Sequence, residues 1–173
     1  MRELADSARI EQFMRELGRA VSVDGRVYLT GGATAVLHGW RETTIDVDIK
    51  LIPDRDEILR EIPRLKESLN LNVELAAPSD FIPLPSGWED RSPLIRREGN
   101  LAFHHFDPVA QALSKIERGH EQDLRDVKEM VAAGLVDPVE ALAQFEAIET
   151  DLYRFPAIDP ATFRKAVEEL FSE

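Results

Sequence analysis

Cysteine is absent from the 173 residues. Disulfide frameworks, thiolate metal centres and thiol nucleophiles are therefore excluded, and cysteine usage says nothing about compartment. A basic excess is lacking too: 21 Lys and Arg stand against 33 Asp and Glu, a net charge of -12. A protein that coats nucleic acid through its phosphates needs the opposite sign. An enzyme that holds divalent cations, or acts on one local part of an RNA, is still allowed. No apolar run approaches the roughly 20 residues that span a bilayer. The opening Arg2-Glu3-Leu4-Ala5-Asp6 stretch is charged where a secretory leader is apolar. No membrane association is expected, and the expected location is the cytoplasm.

What is present is the make-up of an ordinary folded chain, 43% hydrophobic and 31% charged, at a length that suits one domain. Ile10, Phe13, Met14, Leu17 and Val21 recur at helical spacing within residues 4–21. Residues 26–30 form a β-branched and aromatic run that stops at Gly31-Gly32, and 33–38 suit a short helix. Residues 45–52 alternate with period two, placing Ile45, Val47, Ile49 and Leu51 on one face and Asp46, Asp48 and Lys50 on the other. Asp54 and Glu57 resemble a capping box for a helix burying Ile58, Ile62 and Leu65, with a kink or early end expected at Pro63. Residues 71–75 alternate again, setting Asn72 and Glu74 against Leu71, Val73 and Leu75.

Residues 78–93 hold four of the ten prolines and read as a loop. Residues 94–106 read as a hairpin turning at Gly99-Asn100. Beyond it the chain is helical, with Asp107-Pro108, Asp137-Pro138 and Asp159-Pro160 each offering a cap followed by proline at the first helical position. Leu135, Val136, Val139, Leu142, Phe145 and Ile148 make one apolar stripe; Phe163, Val167, Leu170 and Phe171 make another, suited to covering the sheet or to binding a second subunit. These patterns predict an α+β fold, a mixed sheet flanked by helices. Residues 1–106 form an α/β core with an N-terminal helix, and 107–173 a helical part packed on it, one domain overall.

The chemistry concentrates in one stretch. Two glycines ending a strand let the backbone approach a ligand closely and leave N–H groups outward. One short helix later, Asp46 and Asp48 project from the same face of a strand, close enough to share a divalent ion that relieves their repulsion. Glu74 adds a third acid on a later strand. His104 and His105 point to opposite faces and do not readily ligate one ion. His38 reads as a packed or capping residue near Trp40, and His120 as solvated. Arg91, Arg96 and Arg97 read as a charge-balanced loop beside Glu89, Asp90 and Glu98, with an acceptor-side contact to phosphate as the alternative, and Trp88 suits either stacking on a base or closing its loop.

Gly31-Gly32-Ala33 followed by Asp46-Val47-Asp48 resembles the signature of the nucleotidyltransferase superfamily with the polymerase-beta-like fold. The stretch from His38 to Ile49, in which Arg41 and Thr44 lead into the acid pair, resembles bacterial nucleotidyltransferase-like proteins of the abortive-infection toxin type. Lys115-Ile-Glu-Arg118 and Asp123-Leu-Arg-Asp126 resemble their downstream helical motif. The resemblance implies a minimal nucleotidyltransferase fold with a helical C-terminal extension. It makes Asp46 and Asp48 ligands of a two-ion Mg²⁺ site, with Glu74 or Asp80 as the third carboxylate, and sets Gly31 and Gly32 at the triphosphate of an NTP. Lys115 and Arg118 would reach its phosphates or base, while Arg41 and Thr44 brace the acid strand. The implied reaction moves a nucleoside monophosphate to an acceptor hydroxyl on an RNA end such as tRNA, a protein or a small molecule. The implied setting is a toxin–antitoxin pair with a cognate protein partner. Many active members carry serine after the two glycines, where this chain has Ala33, with Thr34 as the available substitute. A catalytically inactive partner or antitoxin module is the alternative.

Overall fold

A computed structural model describes residues 2–172. By internal contacts the chain forms two compact units. Residues up to Ala77 together with Ser92–Phe106 make one, and Pro78–Arg91 together with residues from Asp107 onward make the other. The fold is α+β, with one mixed five-stranded sheet in the first unit.

Strands β1 (Gly25–Thr30), β2 (Asp46–Ile52), β3 (Asn72–Leu75), β4 (Leu94–Glu98) and β5 (Leu101–His105) lie in the order β3-β2-β1-β5-β4. β2 runs antiparallel to β1 and parallel to β3, while β5 is parallel to β1 and forms the expected hairpin with β4. Helices α1 (Ser7–Ala20), α2 (Gly32–His38) and α3 (Asp56–Ser68) bury Ile10, Phe13, Met14, Leu17, Val36, Ile58, Ile62 and Leu65 against one face. That face is built from Val27, Leu29, Val47, Ile49, Val73, Leu101 and Phe103. Because side chains alternate along a strand, the opposite face receives Thr30, Asp46, Asp48, Asn72 and Glu74.

Local expectations differ from the structure in four places. Ile45 is 70% exposed and Leu75 57% exposed, because β2 begins at Asp46 and β3 ends at Leu75, where the apolar face has no cover. α3 continues through Pro63 to Ser68. Ile58, Ile62 and Leu65 are buried on both sides of that proline, and three such side chains at ~1.5–3 kcal/mol each outweigh a break of ~3 kcal/mol. Its N-cap is Arg55, and Glu57 is not part of a capping box: its carboxylate accepts from Ser22 N at 2.6 Å and from Ser22 Oγ at 3.1 Å. In the second unit, α6 (Pro138–Ile148) buries Ala141, Phe145 and Ile148, leaving Val139 exposed one position outside the stripe.

The second unit contains α4 (Pro108–Arg118), α5 (Glu121–Ala132), α6 and α7 (Pro160–Phe171). Asp107 and Asp137 cap α4 and α6 by accepting from the backbone N–H two residues on, whereas Asp159 makes no such bond. The proline-rich segment carries one short 3₁₀ turn, Pro78–Asp80. Arg91 ties it down, donating through Nε and Nη2 to Asp107 Oδ2 at 3.1 and 2.9 Å. Phe163, Val167 and Phe171 are the buried residues of α7, which packs on α4 and α6, with Phe163 edge-on to Phe145 at 4.9 Å. Among the described residues no helix is long and apolar enough to cross a membrane.

Candidate active site

The glycine turn and the acid strand meet because β1 and β2 are neighbours. Thr30, the last residue of β1, is paired with Asp48. Gly31 follows with φ +65°, a left-handed conformation that disfavours a side chain, and a Cβ there would stand 3.1 Å from Asp48 Oδ2. A side chain at Gly31 would therefore crowd the carboxylate. Gly32 opens α2, and a Cβ on it would lie 2.0 Å from Thr44 Oγ1, a separation no side chain tolerates. Thr44 in turn donates to Asp46 O at 3.1 Å and is joined to Ala5 by paired backbone bonds of 2.8 and 2.9 Å. The expected bracing role of Thr44 thus has a geometry: one buried residue locks the glycine turn to the start of the acid strand.

Asp46 and Asp48 share a face of β2, both partly exposed. The parallel partner β3 sets Asn72 opposite Asp46 and Glu74 opposite Asp48. Asn72, which sequence patterning marked only as a polar position, donates from Nδ2 to Asp46 Oδ1 and to Glu74 Oε1, the latter at 3.2 Å. Of the two candidates for a third carboxylate, Glu74 adjoins the pair through strand register, while Asp80 belongs to the second unit.

Thr34 is placed differently from the expectation. It is buried, its hydroxyl 3.4 Å from Leu29 O and 3.1 Å from His105 Nδ1, on the helix-packed side of β1. Ala33 is fully buried as well. His105 in turn faces His38 at a ring separation of 4.5 Å, and His38, itself exposed, stacks on Trp40 at 5.5 Å. Burial, and secondarily the nearby His38, pushes the His105 imidazole down to about 4, and burial lowers His38 as well.

Lys115 and Arg118 lie on α4 in the second unit. Lys115 is 5% exposed, and its ammonium sits 2.9 Å from Asp126 Oδ2 and 3.4 Å from Asp123 Oδ1. Arg118 reaches Asp123 with Nη2 at 2.7 Å and Nε at 3.2 Å. The downstream motif is thus an ion cluster joining α4 to α5. Of the three arginines read as charge-balanced, Arg91 pairs with Asp107, and Arg96 pairs with Glu11 at 3.3 Å and Glu98 at 3.8 Å.

The donors around the glycine turn are carboxylate oxygens, which suit a hard cation such as Mg²⁺. Among the described residues no three His, Cys, Asp or Glu side chains are gathered as a metal-holding group. Mg²⁺ is commonly held by one or two carboxylates, its shell completed by water and substrate phosphate, so the Asp46–Asp48 pair fits it. A side chain at Gly31 would crowd the Asp48 carboxylate, so glycine keeps that carboxylate clear of a neighbouring Cβ.

A family model described as "Nucleotidyltransferase of unknown function (DUF6036)" matches residues 8–155, and the chain belongs to that family. No curated protein and no solved structure matches the chain.

Proposed function

We propose that the protein is a Mg²⁺-dependent nucleotidyltransferase that moves a nucleoside monophosphate from an NTP to an acceptor hydroxyl. The observation that carries this reading is the close approach of the Gly31 backbone to Asp48, with Asp46 on the same strand face and Glu74 in register. Asp46 and Asp48 would hold Mg²⁺, and the Gly31-Gly32 turn would lie at the triphosphate, with no side chain at Gly31 between it and Asp48. Bound there, the ion supplies charge neutralisation at the phosphates and a more acidic acceptor hydroxyl. The acceptor oxygen attacks the α-phosphorus, the bond to the bridging oxygen breaks, and pyrophosphate leaves. Glu74, exposed at the strand edge, takes the acceptor's proton.

The test is transfer of label to pooled tRNA, a protein mixture or small alcohols. Label from the α-phosphate, and none from the γ-phosphate, joins one of these with Mg²⁺ present and fails to do so with Asp48→Asn. Label arriving from the γ-phosphate would identify a kinase instead. The resemblance also suggests a toxin–antitoxin setting, for which the expected sign is growth arrest on induction of the wild type and none with Asp48→Asn.

A second reading, a catalytically silent partner module, has one observation behind it. Ala33 is buried and the Thr34 hydroxyl is engaged in the core, so neither residue after the two glycines offers a hydroxyl to a phosphate. Tight Mg²⁺-dependent NTP binding without transfer to any acceptor class would favour it.

A further inference from the structure

Asn72 occupies a place that the reaction scheme does not use. It stands on β3 opposite Asp46 and two residues before Glu74, which stands opposite Asp48. A side-chain amide nitrogen carries two hydrogens. Here it serves one acid on each strand, Asp46 through Oδ1 and Glu74 through Oε1. Three carboxylates on one sheet face repel one another. A neutral double donor between two of them fixes their orientation without cancelling their charge, and it leaves Asp46 Oδ2 and Glu74 Oε2 for another partner. A lysine in this place would neutralise the site, and an aspartate would add to the repulsion.

We propose that Asn72 is the positioning residue of the acid site: it orients the Asp46 carboxylate for a divalent cation and holds the proton-accepting Glu74 carboxylate beside it. The inference rests on the cation reading of Asp46 and Asp48. Asn72 is only partly buried, so water can replace its bonds when it is removed, and the fold is expected to tolerate the loss. Metal affinity is more sensitive, because hydrogen bonds that orient carboxylate ligands are typically worth about 10–100-fold in binding.

Mn²⁺ titrated into the full chain without nucleotide, and followed by the loss of its free-ion paramagnetic signal, separates these effects. Asn72→Leu and Asn72→Ala are expected to weaken Mn²⁺ binding about tenfold or more. Their unfolding midpoints without cation should stay within about 4 °C of wild type. Asn72→Gln, which keeps both donors on a longer arm, should recover part of the affinity. Affinity within twofold of wild type in the Leu and Ala variants overturns the proposal, and so does tighter binding, which would make Asn72 a competitor of the ion. Wild-type protein that binds no Mn²⁺, or binding that survives Asp48→Asn, overturns the acid-pair reading itself and this inference with it.

Discussion

Lys115→Met is expected to lower the stability of the helical unit by about 3–5 kcal/mol, the usual cost of removing one partner from a buried ion cluster. The cluster is tight. Asp126 is fully buried and lies 2.9 Å from the Lys115 ammonium, with Gln122 donating to its other oxygen at 3.1 Å. Asp123 is shared between Lys115 and Arg118. Without Lys115 the Asp126 carboxylate keeps its hydrogen bond from Gln122 but loses the cation that offsets its burial. Pairing Lys115→Met with Asp126→Leu removes both charges and should recover most of the loss, since buried pairs replaced by apolar groups are often neutral in stability. Urea unfolding of the two variants checks this. A single variant within ~1 kcal/mol of wild type would show that the cluster contributes little, because that is the range of an exposed pair. The outcome also governs how activity data are read: a dead Lys115 variant is a folding defect until its midpoint is known.

The second large effect is a loss of stability in mild acid centred on His105. Its folded value is about 4, against 6.5 for an ordinary histidine. Between those values the unfolded chain binds a proton that the native chain does not, so stability falls as pH drops from about 6.5 towards 4 and is fully present above that range. The displacement corresponds to about 3 kcal/mol in total, at 1.36 kcal/mol per unit. His38, also lowered, acts in the same direction, while Asp107, whose carboxyl is raised by burial, acts in the opposite direction as pH falls, because there the native chain binds more protons than the unfolded one. Comparison with His105→Asn, which keeps a polar partner for Thr34, isolates the histidine. From pH 7 to pH 4 the wild type should steadily lose stability relative to the variant. A difference that stays constant across that range would contradict the assignment.

How far these features were legible in the residues depends on range. The alternation in 45–52 showed the acid face of β2, because burial of every second side chain leaves a period-two trace. The hairpin at Gly99-Asn100 and the Asp-Pro helix starts are local turn chemistry and appear as expected. Features set by non-local pairing left no such trace. The Asp48–Glu74 register joins residues 26 apart, and the contact of Gly32 with Thr44 depends on how a loop returns over a helix. Asn72 looked like any polar strand residue until β3 was laid beside β2. The limits of burial at Ile45 and Leu75 were equally hidden, since parity assigns a face but not where the covering helices end. Thr34 and Lys115, which the resemblance sets at the nucleotide, are each engaged in a buried contact within their own unit.

The most direct test of a nucleotide site at Asp46 and Asp48 is thermal unfolding with Mg²⁺ and each of the four NTPs, beside the Asp46→Asn/Asp48→Asn variant. At a hundredfold excess over Kd, binding to the native state adds about 2.7 kcal/mol. The expected result is a raised midpoint with at least one NTP only when Mg²⁺ is present, and no rise in the variant. The absence of a shift with all four nucleotides, or a shift of equal size in the variant, would contradict it.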